Sequence, residues 1–302
     1  MPTALRGGKN MAINFTLSQT GTSRFAQVIG SGDPKFLVGK ETVYEHTKHG
    51  LFNLSIPNGI LYKPEDYNAE YGFWAYFIAP TAKAESNNSF VCLNTYDRAR
   101  FTFSFMQYAA HVPNGDFVKC LKELLALPNA QDYFPKLIVQ NSRIFYREST
   151  GSLTQLEDNT TTDALMKYLN PSLDHIENQE LICAARMVHW ATNDANHRRI
   201  QVKVAIEHFK ENMKRYAQSY NLDGYPDKVC QMVCDIRHQG RATSQQIINA
   251  LNTGGNFETA YSRLCQLGNY PSRVTQVRPV INNLIGAGKF GKKYRLATND
   301  FA

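Results

Sequence analysis

The sequence predicts a mainly α-helical protein that carries one small antiparallel β hairpin. Three observations lead there. Six stretches with helical apolar periodicity follow one another, at roughly 177–194, 197–220, 226–237, 243–252, 256–268 and 272–286. Their connectors, "NDANH", "NLDGYP", "HQGRAT", "NTGGN" and "GNYPS", hold the expected turn formers. A pair of β-branched and aromatic runs, "SFVCLNTY" and "RFTFSFMQ", flanks the turn "DRA". The composition, 43% hydrophobic and 20% charged, is that of a globular chain and argues against disorder.

Residues 1–40 are rich in Gly, Ser and Thr without a durable period and read as a loop-rich N-terminal arm. No repeat, low-complexity tract or composition shift divides the remainder, so 41–302 reads as a single domain with a helical C-terminal half. "GLFNLSIPNGILY" mixes apolar residues with a Pro-Asn-Gly turn and reads as irregular. Pro64 followed by Glu65 and Asp66 suits a helix N-terminus. The helix continues through "YGFWAYFIAP", where Pro80 ends or bends it and leaves Glu85 at or just beyond its C-terminal side. In the hairpin, Thr102 and Ser104 alternate with Phe101, Phe103 and Phe105, giving one polar and one apolar face. "NGDFVKCLKELLAL" starts a helix capped by Asn114 or Asp116, with Phe117, Leu121, Leu124 and Leu125 on its apolar side. Residues 128–162 form a crossover with a short strand at "KLIVQNSRIFYR", and "NTTTDALMKYLN" reads as a short helix. The tail "GKFGKKYRL" is basic.

The formal charge is +7, from 33 Lys and Arg against 26 Asp and Glu, and favours anionic partners such as nucleic acid, anionic lipid or cell-wall polymer. No motif places a helix in a groove or stacks unpaired bases, so no specific nucleic-acid partner is expected. The N-terminal stretch lacks the apolar core of an ordinary signal peptide, and "YGFWAYFIAP" is too short to cross a bilayer. The expected product is soluble as made. Cys92, Cys120, Cys183, Cys230, Cys234 and Cys265 permit up to three disulfides by number but are sparse for such a framework, and Cys230 and Cys234 read as reduced, buried helix cysteines. Cys230, Cys234 and His238 share a helical spacing but fall short of a four-ligand zinc set, so neither a metal nor a cofactor is expected.

The stretch "ESNNSFVCLNTYDRARFTFSFMQYAAH" puts one carboxylate at a helix end and a second in a hairpin turn. Hydrolysis of a glycosidic bond commonly uses two carboxylates, one to protonate the leaving oxygen and one as nucleophile or base. Glu85 follows an apolar segment, where partial burial would keep it protonated; Asp97 lies near Arg98 and Arg100, which would keep it ionised. The plainer alternative is a surface Glu at a helix end and an Asp that favours the turn.

"AES", a polar-rich hairpin and then "FSFMQ" resemble the lysozyme-like superfamily, including lytic transglycosylases, goose-type lysozymes, chitosanases and phage-type lysozymes. The resemblance covers about 65–125 in detail. It implies a lysozyme-like α+β fold, with Glu85 as general acid, Asp97 as the carboxylate of the β region, and Gln107 orienting substrate. Ser104 stands where that family usually has Gly. Around these residues, Asn94, Tyr96, Thr102, Ser104, Tyr108 and His111 are the candidate substrate contacts, each with a packing role as its alternative. "VCDIRHQGRAT" gathers Asp235, Arg237, His238, Gln239 and Arg241, either as a cleft wall or as a buried Asp–Arg network between helices. Trp190 would stack on a sugar or pack within its helix.

The function expected from this reading is cleavage of β-1,4 glycosidic bonds in peptidoglycan, with bacterial glycan strands as partner. The alternatives are a lytic transglycosylase forming 1,6-anhydro products and a non-enzymatic wall-binding protein. Without an ordinary signal peptide, action in the periplasm or wall would need phage lysis or a secretion machinery, the latter with an immunity protein.

Overall fold

The computed structural model describes residues 12–54 and 59–302. Residues 1–11 of the expected arm, with Pro57 and Asn58 of the expected turn, lie outside the described residues. The described chain opens with strands β1 (Phe15–Thr20), β2 (Ser23–Val28), β3 (Phe36–Tyr44) and β4 (Lys48–Phe52), then helices α1 (Pro64–Tyr71) and α2 (Phe73–Ser86). Three short strands follow, β5 (Leu93–Asn94), β6 (Thr102–Phe103) and β7 (Tyr108–Ala109), then helices α3 (Asp116–Leu125) and α4 (Ala130–Tyr133). Strands β8 (Leu137–Gln140), β9 (Arg143–Arg147) and β10 (Leu153–Gln155) lead into α5 (Asp163–Leu169), α6 (Asn178–Asn193) and α7 (Ala195–Tyr220). The chain continues with α8 (Asp227–Gln239), α9 (Ser244–Leu251), α10 (Phe257–Cys265) and α11 (Pro271–Gly286), and closes on β11 (Tyr294–Arg295) and β12 (Asp300–Phe301).

Two compact units emerge. The first joins the chain up to Ile60 with Ser89–Gln201; the second joins Leu61–Asn88 with Val202–Ala302.

The first unit corrects the expected fold class. Strands β1 to β7 form one seven-stranded antiparallel sheet in chain order, and β10-β9-β8 form a second sheet of three. The class is mixed α+β rather than mainly α with one small hairpin. The described part of the expected arm carries β1, β2 and the start of β3. These strands escape a periodicity reading because little of their surface is buried. β1 shows no fully buried residue, and Ala26 and Val38 are the inward anchors of β2 and β3. The turn joining β3 to β4 uses Glu45 and His46, both at positive φ, where Asn or Gly would announce a hairpin. "KLIVQNSRIFYR" is likewise two strands, β8 and β9, reversing at Asn141 and Ser142 with φ of 50° and 59°.

Glu180 on α6 is fully buried in this unit. The Thr95 hydroxyl donates to its Oε1, while its Oε2 is buried with no hydrogen-bond partner among the described residues. Burial pushes the Glu180 carboxyl up to about 7, against the opposing pull of Thr95.

In the second unit the helices match their predicted positions closely. Pro80 neither ends nor replaces α2, which runs on past it to Ser86. Gly72, at φ 57°, separates α1 from α2, and Asn87 in the left-handed region stops α2 one residue after Ser86. Glu85 therefore sits in the last turn. Phe73, Trp74, Phe77, Phe290 and Phe301 form an aromatic cluster between α2 and the C-terminal strands. The basic tail is held in place: Asp227 at the start of α8 accepts from the Gly291 and Lys292 amides at 2.7 and 2.8 Å. All six cysteines are free, and all but Cys265 are buried. No helix among the described residues is long and apolar enough to cross a membrane.

Glu180 makes stability depend on pH. Its folded state holds a proton up to about pH 7, whereas the unfolded carboxyl loses it near 4.5. Its contribution is therefore complete below the lower value and falls away as pH rises to the upper one. The loss amounts to roughly 3 kcal/mol. Glu180→Gln, which keeps the shape without the charge, should raise the melting temperature at pH 8 relative to wild type and leave it nearly unchanged at pH 4.5. An equal shift at both pH values would refute the assignment.

Candidate active site

The second unit builds its charged centre from three helices. On α2, Thr81 and Glu85 stand four residues apart and share one face. On α8, Gln231 and Asp235 do the same, with His238 one turn further. On α11, Arg273 lies in phase with the buried Val277, Ile281 and Leu284, so an arginine occupies the first position of an apolar stripe.

Asp235 is the hub. Arg273 Nη2 donates to its Oδ1 at 2.8 Å and Arg241 Nη1 to its Oδ2 at 2.6 Å. The Thr81 hydroxyl adds a third donor to Oδ1 at 3.0 Å, and Gln231 Nε2 in turn donates to Thr81 at 3.0 Å. Burial alone would raise the Asp235 carboxyl, but the two guanidinium groups more than offset it and hold it below the usual carboxylate range. The same balance keeps Arg273 charged despite burial, with Asp235 the larger and Glu85 the smaller opposing influence.

Arg273 also reaches outward. Its Nη1 lies 2.7 Å from Glu85 Oε1, and His238 Nε2 lies 3.4 Å from the same oxygen. Side-chain exposure falls along the chain, from 17% at Glu85 to 6% at Arg273 and none at Asp235. Glu85 is thus the partly open end of a buried chain of charges. Burial lowers His238, against the pull of Glu85, so the imidazole beside Glu85 is kept neutral. Arg241 follows Gly240, the left-handed residue that closes α8, and its backbone is hemmed in by Gly268: a Cβ there would meet the Arg241 carbonyl at 2.4 Å. The loop after α10 passes Arg241 this closely only because residue 268 is glycine.

Asp97, expected as the partner carboxylate, belongs to the first unit, whereas Glu85 belongs to the second. Asp97 forms a turn, accepting from the Ala99 amide at 2.8 Å through Oδ1 and from the Arg100 amide at 2.9 Å through its carbonyl. Asn94 Nδ2 donates to Gln107 Oε1 at 3.2 Å, which brings those two candidates together. Tyr96 is half-buried beside Tyr44, with ring centroids 5.4 Å apart. Thr102, Ser104 and Tyr108 are buried, and the Tyr108 hydroxyl donates to the Gln201 carbonyl at 2.7 Å. His111 is partly buried, and burial followed by Arg98 lowers it. Trp190 is a packing residue, stacked on Tyr133 at 4.7 Å with its Nε1 donating to Asp194 at 3.0 Å.

The Asp235–Arg241 pairing was one of two readings open from the sequence. Arg273, Thr81 and Gln231 were not foreseen. The signal for Arg273 is an arginine in phase with the apolar residues 277, 281 and 284, an expensive place for a charge without a partner. No family model, curated protein or solved structure matches this chain.

Two predictions follow from this geometry. Asp235→Asn strands the buried Arg241 and leaves Arg273 with Glu85 alone, and should destabilise the protein by about 3–5 kcal/mol in denaturant unfolding. Glu85→Gln, at the open end, should cost about 1 kcal/mol or less; equal costs would contradict the gradient of burial. Ser104 adopts φ 107°, a region that L side chains rarely occupy, while its hydroxyl accepts from the Met106 amide at 3.1 Å. Ala at 104 keeps the strain and loses the bond, whereas Gly relieves the strain. Ser104→Gly should therefore be more stable than Ser104→Ala by about 1 kcal/mol or more, and the opposite ranking would remove the strain argument.

Proposed function

We propose that this protein is a glycoside hydrolase that cleaves β-1,4 bonds of peptidoglycan, with Glu85 as the general acid. The observation that carries the reading is the position of Glu85 at the partly exposed end of the Glu85–Arg273–Asp235–Arg241 chain. The protonated carboxyl would deliver its proton to the glycosidic oxygen as the bond to the sugar breaks, and a water would then add to the anomeric carbon and return one proton to the Glu85 carboxylate, which restores the acid. With Glu85 ionised, the chain holds two carboxylates and two guanidinium groups and is neutral. Proton delivery therefore ends in the balanced state, and Arg273 stabilises the carboxylate formed. Asp235 fixes Arg273 from behind, so the carboxylate that receives this help is held in one orientation. Neutral His238, its Nε2 3.4 Å from Glu85 Oε1, lines the acid without adding a third cation. The net charge of +7 supports an anionic glycan as the substrate.

Purified peptidoglycan digested with wild type and Glu85→Gln, followed by mass spectrometry of the released fragments, tests the reading. Wild type should release reducing muropeptides, and Glu85→Gln should lower the rate about 10²–10⁴-fold. Anhydro products would replace hydrolysis by transglycosylation. No products, with wall binding intact, would leave a binding protein.

A further inference from the structure

The first unit holds a cavity of about 530 Å³ enclosed by β9, β10, α5, α6 and the loop before β8. That volume suits a mono- or disaccharide. Tyr146 and Tyr168 meet along it with ring centroids 5.6 Å apart and planes at 53°, and Lys136 Nζ lies 5.4 Å from the Tyr146 centroid. Gln179 and Thr154 add amide and hydroxyl groups, and Gln179 Nε2 is anchored on the Tyr168 carbonyl at 2.9 Å.

Its charge is unbalanced. Lys136, Lys167 and Arg186 line the cavity against one acid, Glu148, which accepts from the Thr154 hydroxyl at 3.1 Å. Arg186 is the decisive residue. Its guanidinium carbon lies 5.6 Å from the Phe134 ring centroid, and its side chain hydrogen-bonds Tyr168, which fixes the cation at the cavity wall. Three cations against one carboxylate favour an anionic ligand. Lys136 is oriented by the Tyr146 hydroxyl at 3.0 Å and remains a second cation at the rim.

We infer that this cavity is a binding subsite for a saccharide unit bearing a carboxylate, its pyranose ring against Tyr146 and Tyr168 and its acid group toward Arg186. The choice of a carboxylate over a phosphate rests on the backbone. None of the lining residues is a glycine or has a positive φ, so the cavity offers no main-chain nest of the kind that cradles phosphates. The planar guanidinium pairs with a carboxylate without help from such a nest. The choice of a saccharide deepens the proposed glycan substrate and rests on that reading, although the cavity lies in the unit that does not hold Glu85.

The test is calorimetric titration of the full-length protein with N-acetylmuramic acid and with N-acetylglucosamine, which lacks the lactyl carboxylate. The acidic sugar should bind about tenfold more tightly than the neutral one. Arg186→Gln should remove that preference, and Lys167→Gln, an exposed change on α5 that leaves folding intact, should reduce it. Equal binding of both sugars, a preference unchanged in both variants, or no binding by wild type would overturn the inference. The same titration on Glu85→Gln should match wild type. Hydrolysis without sugar binding would thus sink the subsite alone, and binding without hydrolysis would sink the proposed enzyme alone.

Discussion

A carboxylate at zero exposure has to be neutralised where it lies, and Asp235 meets that demand with two guanidinium groups and a hydroxyl drawn from α2, α11 and the turn after α8. Removing three charges from water costs several kcal/mol per ion, so the network is a poor source of net stability. Its consequence is register. Thr81 fixes the rotation of α2 against α8, and one turn later on that face stands Glu85. Arg273 joins both carboxylates, so a slip of α11 by one residue would strand a buried charge on each side. The placement of Glu85 is thus inherited from Asp235.

Two buried carboxylates show how far the surroundings set the chemistry. Asp235 has two arginines and is held ionised, whereas Glu180 has the Thr95 hydroxyl and a bare second oxygen and is pushed up to about 7. The residue types are nearly the same; the partners differ. Glu85 shares Arg273 with Asp235 while keeping an edge in solvent.

How much of this the sequence disclosed follows from what each element buries. Helices α6 to α11 carry apolar stripes, and most of them have Gly or Asn at or just past their last residue, so period and punctuation agree, and their bounds were legible to within a few residues. Of the seven-stranded sheet, only the hairpin that holds β5 and β6 was legible. Thr16, Ser18 and Gln19 of β1 say nothing of pairing, and Glu45 with His46 makes a turn that carries no turn signature. Ser104 illustrates the same limit: its positive φ is a property of the folded hairpin, and a serine gives no local hint of it. In the charged centre, Asp235 and Arg241 stood out as a cluster at a helix end. Arg273 was hidden because its partners come from segments 38 and 188 residues away, as the intervals from 273 to 235 and to 85 show.

The two charged features differ in a way that bears on ligand recognition. In the second unit the buried charges around Asp235 have their counter-charges in the protein, and the chain from Glu85 to Arg241 sums to zero. In the first unit, Glu157 is balanced internally by Lys122 and Arg143, whereas the Arg186 side chain hydrogen-bonds Tyr168. A fold that satisfies one buried ion with care has the means to satisfy another. An acid at Gln179, one turn before Cys183 on the same helix as Arg186, would add a carboxylate to the cavity wall at little conformational cost. The amide there adds no charge, and the cavity wall keeps Lys136, Lys167 and Arg186 against the single carboxylate of Glu148.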